Sequence, residues 1–85
     1  MFAIDDDLHA DMIGTFPTRE EAIQELRRLR AIAWDQPPNQ APCMSWRTCG
    51  RRYVLVEFDD RFTPWRTLAS VLALEISAAG VVWHL

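Results

Sequence analysis

The chain has no lysine at all, and its nine basic residues are all arginine. Without lysine, Schiff-base chemistry and a phosphate-loop lysine are excluded. Only three glycines are present, at 14, 50 and 80, so there is no glycine-rich loop to cradle a phosphate. Two histidines, His9 and His84, sit near opposite ends, with no second ligand three or four residues away. That spacing lacks the helical pairing of a zinc site. No apolar run approaches the ~18 residues that a membrane-spanning helix needs. The opening MFAIDDDLHADM is acidic where a secretory leader is basic. It argues against export and for a cytoplasmic protein without a membrane partner.

What is present belongs to one compact domain. Of 85 residues, 49% are hydrophobic and 11% aromatic, which excludes a disordered chain. At this length residues 1–85 hold a single domain with a single modest core. The net charge of −3 is unevenly spread, with acids dominating residues 1–25 and arginines dominating 26–52. A net acidic chain argues against a nucleic-acid binder, whose affinity comes largely from neutralising phosphates.

Thr18-Arg19-Glu20-Glu21 is a capping box: the Thr18 hydroxyl accepts from the amide three residues on. Ala22, Leu26, Leu29 and Ala33 follow at helical spacing, acids open the segment and arginines close it. The pattern predicts a helix over 18–33. Strands are predicted at about 10–16, 51–58, 71–77 and 81–84, with residues 1–9 loose or at an edge. Thr63-Pro64 reads as an N-cap followed by proline at the first helical position, which predicts a short helical turn near 64–69. Residues 35–50 form a long loop with three prolines. The expected fold is α+β, one main helix on an antiparallel sheet of about four strands. One helix covers one face, so part of Tyr53, Leu55, Val81 and Trp83 is expected on an uncovered face.

Candidate chemistry is sparse. Cys43 and Cys49 are spaced C-x5-C, which is neither a thioredoxin-like pair nor a zinc ribbon. Buried reduced thiols, a loop-closing disulfide, a metal role and a reactive thiol all stay open. No nucleophile lies beside a base, and Glu20-Glu21 and Asp59-Asp60 are explained by capping and turn solvation. The reading favours a binding role over an enzyme without settling it, expects no cofactor, and leaves Cys43 and Cys49 as the one redox or metal candidate. The remaining constellation is Trp46, Arg47, Arg51, Arg52 and Tyr53, where guanidinium forks alternate with aromatic faces. Three functions follow from it: a protein-interaction module that self-associates; binding of a small anion or single-stranded nucleic acid through residues 46–53; a thiol redox or metal role for Cys43 and Cys49.

Two resemblances accompany these residues. Gly14, Phe16, Thr18, Glu21 and Ala22 make a G-x-F-x-T-x-x-E-A unit similar to one in the sporulation-related peptidoglycan-binding repeat and in plant ethylene-response DNA-binding domains. The second half-repeat and the basic sheet of those families have no counterpart here, and no functional residue is carried over. The string from Pro37 to Tyr53, PPN-x-APC-x-x-W-x-x-CGR-x-Y, resembles a small bacterial family of single-domain proteins without an assigned activity. That resemblance implies a bacterial, cytoplasmic α+β domain.

Overall fold

A computed structural model describes residues 1–40 and 50–85. Its elements are β1 (Phe2–Asp6), β2 (Asp11–Phe16), α1 (Arg19–Arg30), β3 (Arg51–Asp59), β4 (Arg66–Ser77) and β5 (Gly80–Trp83). The strands form one antiparallel sheet in the order β2-β1-β3-β4-β5. The α+β architecture thus has five strands where about four were expected.

The extra strand is β1. Residues 2–6 are not loose: they sit between β2 and β3, with Ile4 opposite both Gly14 and Leu55. The acidic run hid a strand whose inward positions are Phe2, Ile4 and Asp6. Ile4 is fully buried in the core, and Asp6 is buried against an arginine that no local pattern announces.

The helix forms where its cap directs. Thr18 is extended, and its Oγ1 accepts from the Glu21 amide at 3.2 Å. Ala22, Ile23, Leu26 and Leu29 bury against Ile4, Tyr53, Leu55, Leu74 and Ile76. The helix stops at Arg30, three residues before the expected end, and Ala31 closes it by donating its amide to Arg28 O. Arg28 pairs with Glu25 one turn earlier. Arg30 stacks its guanidinium 4.6 Å from the Trp83 ring centre, tying the end of α1 to β5.

The helical turn expected near 64–69 is not there. Arg66–Ala69 is extended and paired with β3, with Asp59 opposite Arg66, Phe58 opposite Thr67 and Glu57 opposite Ala69. β3 is long enough to offer a ladder to this segment. Pairing with β3 bonds one side of the segment into the sheet, whereas a two-turn helix on so few residues is marginal. Trp65 then stacks on Phe58 at 4.4 Å between ring centres, which shields Phe58 from solvent.

β4 carries two bulges. Ala73 has no opposite residue between Leu72–Val54 and Leu74–Tyr53, and Leu68 has none between Thr67–Phe58 and Ala69–Glu57. The first bulge breaks the regular alternation of a strand over 71–77: Ala73 and Leu74 are both buried, and Leu72 shares the face of Val54. The β4–β5 turn has Gly80 at φ +136°, a conformation that suits a residue without Cβ.

Candidate functional site

Strand alternation assigns the two sheet faces. Phe2, Ile4, Asp6, Arg51, Tyr53, Leu55, Leu74, Ile76 and Trp83 lie on the helix side. Tyr53, Leu55 and Trp83 therefore do not form the uncovered face, as the sequence had suggested. That face belongs to their neighbours in the chain: Ala3 and Asp5 on β1; Arg52, Val54, Val56 and the Trp65-covered Phe58 on β3; Ser70, Leu72 and Glu75 on β4; Val82 on β5.

On the helix side, the end of the sheet beneath the C-terminus of α1 holds a buried polar cluster. Asp6 is inaccessible to solvent and accepts from four groups: the Leu8 amide and the Arg52 amide on Oδ1, and His9 Nδ1 and Arg51 Nη1 on Oδ2, at 2.6–3.1 Å. Arg51, 8% exposed, also donates to Asp11 Oδ2 and to the Gln40 carbonyl. Burial pushes the Asp6 carboxyl up, but the bonds from His9, the Arg52 amide and Arg51 outweigh it and hold the group below its usual range.

Next to it, Asn39 closes the end of the helix. Its Nδ2 donates to the Leu29 and Ile32 carbonyls at 2.7 and 2.8 Å, and its Oδ1 accepts from Tyr53 Oη at 2.8 Å. The Leu29 carbonyl also accepts the Ile32 amide at 3.1 Å, and Ile32 lies two residues past the last helical residue, so Asn39 adds a side-chain donor to the final turn and its exit. Burial raises the Tyr53 phenol to about 12, against the opposing pull of Arg51. The arrangement fixes the strand-to-helix geometry with every bond made internally, which describes a structural network.

The candidate set from the sequence is therefore divided. Arg51 and Tyr53 are inside and bonded within the fold, Arg51 through Nη1 and Nη2 with its buried Nε left unbonded. Arg52 is on the uncovered face and pairs with Asp7 at 2.8 Å, with both side chains 42% exposed. Trp46, Arg47, Cys43 and Cys49 lie outside the described residues. Among the described members, no exposed platform of stacked aromatic and guanidinium groups is brought together. Also among the described residues, no group of three or more His, Cys, Asp or Glu is placed to hold a metal ion, and no helix is long and apolar enough to cross a membrane.

The surface that sequence reasoning placed wrongly is the sheet face opposite α1, where half-buried aliphatic side chains lie. Val54 and Leu72 pair across β3 and β4, Val56 lies opposite Ser70, and Ala3 lies opposite Val56 on the other side. Ala3 is 2% exposed, and Val54, Val56 and Leu72 are half-buried; among the described residues no helix or strand lies over them. Charged groups ring them: the Arg52–Asp7 pair, the Glu75–His84 pair at 2.9 Å, and Asp5. Asp5 Oδ1 is shielded from solvent and accepts no hydrogen bond, and this burial raises its pKa. The alternation of 53–58 was the signal for this face; assigning it required knowing which side α1 takes.

Comparison with protein-family models, with curated proteins and with solved structures finds no match for this chain.

Proposed function

We propose that the protein is a small, non-enzymatic interaction module that associates with a second copy of itself through the uncovered sheet face. The observation that carries this reading is the half-buried Val54–Leu72 pair with Val56 on a face that no described helix or strand covers. Half a layered domain exposes such a face only where something else packs on it. The charge pattern favours a copy of the same chain: Arg52 and Glu75 are opposite one another in the ladder, so a twofold arrangement can set the arginine of one copy against the glutamate of the other.

Magnitude decides how tight the association is. Five strands ~4.8 Å apart, each about seven residues long, give a face of roughly 600 Å². This is below the ~800 Å² per partner of a standard stable complex. The dimer is accordingly reversible and of modest affinity.

Sedimentation velocity tests this directly. Wild type is expected to move from the 9.8 kDa monomer towards twice that mass as concentration rises through the micromolar range. Val56→Glu, which sets a charge on a half-buried outward position, is expected to hold the monomer at every concentration and keep the helical circular dichroism of wild type. A wild-type chain that stays monomeric throughout removes the proposal.

A further inference from the structure

β4 is much longer than the strand that flanks it. β5 pairs only with Leu74–Ser77, and the His84 amide adds one bond to the Ala73 carbonyl. From Arg66 to Leu72, β4 is bonded to β3 on one side and has no strand on the other among the described residues. Arg66–Val71 is exposed throughout. The bulges at Leu68 and Ala73 interrupt the ladder, which limits indiscriminate edge pairing, but they leave a regular window at Ala69–Leu72.

That window borders a cleft of about 160 Å³ on the helix side of the sheet, lined by Phe2, Leu55, Ala69, Ser70 and Val71, with Arg19 and Glu57 completing it. Three successive β4 residues line it, so backbone as well as side chains is presented. Phe2, Leu55 and Val71 make an apolar floor, and the small Ala69 leaves it open towards the free edge. Among the described residues, Arg19 and Arg66 form no ion pair; Arg66 instead lies 5.0 Å from the Phe62 ring centre. Arg19 also stands in the first turn of α1, at the positive end of the helix dipole. Glu57 lines the cleft, and Asp59, opposite Arg66 in the ladder, is paired with Arg61 at 2.7 Å.

We propose that the Arg66–Leu72 edge and this cleft bind an extended acidic peptide by strand addition. The peptide backbone bonds to the free groups of Ala69–Leu72, one aliphatic side chain enters the cleft, and flanking carboxylates face Arg19 and Arg66. Main-chain bonds supply affinity and the cleft supplies selectivity, as in other edge-strand recognition. The site is on the edge and the helix side, apart from the face assigned to the second copy, so either reading can fail without the other.

The test is a nitrogen-15 NMR titration of the full chain, dilute enough to be monomeric, with the synthetic peptide acetyl-Asp-Val-Glu-Val-Leu-Val-Glu-Val-Asp-amide. Amide shifts are expected at Thr67–Leu72, Phe2 and Leu55. N-methylation of alternate peptide amides, which removes about two bonds, is expected to weaken binding about tenfold or more. Replacing the acids by lysine, or Arg19→Glu in the protein, is expected to weaken it about threefold to fivefold. Equal binding of the N-methylated or the lysine peptide overturns the proposal. So does the absence of shifts at millimolar peptide, a shift pattern centred on Val54, Val56 and Val82, or shifts at Ala69–Leu72 produced by protein concentration alone.

Discussion

Asn39 and Tyr53 show how one residue can determine a local fold without touching any ligand. Asn39 is 1% exposed and makes three hydrogen bonds, two to the end of α1 and one to Tyr53. Asn39→Ala removes a donor from the Leu29 and Ile32 carbonyls and the acceptor of a buried phenol, and is expected to cost about 2–4 kcal/mol in a denaturant titration. A change under 1 kcal/mol would mean that water replaces the amide. Tyr53 is the only tyrosine, so absorbance at 295 nm reports its ionisation alone. Its pKa is raised by burial from near 10 to about 12. A phenol raised in the folded state stabilises that state while protonated. The contribution is full below pH ~10, is lost as pH rises through about 12, and is on the order of 2–3 kcal/mol. Tyrosinate is expected to appear near pH 12 together with loss of structure, and a free titration near pH 10 with the fold intact would contradict the buried placement.

At the scale of elements, the legible parts were those with local grammar. The Thr18 cap, the 3.6-residue stripe of α1, the both-sided apolar run of β3 and the glycine after Ala78-Ala79 each carry their own signal. The parts that were not legible depend on distant partners. β1 looked like a solvated acidic tail because the arginine that neutralises Asp6 is 45 residues away. Arg66–Ala69 looked like a helix start because its competing partner, the far end of β3, is not visible in a local window. Arg51 and Tyr53 looked like binding residues for the same reason: their composition suits recognition, and only the fold shows them occupied. The entry to β3 offers a check. A Cβ at Gly50 would collide with the Ile76 carbonyl oxygen and lie 2.8 Å from Ser77 Cβ. Gly50→Ala is expected to destabilise by about 1–3 kcal/mol, since backbone of the neighbouring strand cannot yield as a flexible side chain does. An unchanged midpoint in thermal unfolding would show that β3 does not approach β4 so closely there.

On the scale of the whole molecule, the architecture is half of a three-layer arrangement. The polar cluster under the C-terminus of α1 and the apolar contacts of Ile4, Leu26, Leu29 and Leu74 complete the helix side. The other side keeps Val54, Val56 and Leu72 without a described covering, fringed by Arg52, Glu75 and the unbonded Asp5 carboxylate oxygen. The proposed cover for that face is a second copy. The most direct measurement is an isotope-filtered NOE experiment on an equimolar mixture of carbon-13-labelled and unlabelled chains at high concentration. The account predicts intermolecular cross-peaks among the methyl groups of Val54, Val56 and Leu72. Cross-peaks confined to other surfaces, or none at concentrations where the mass is that of a monomer, would contradict it.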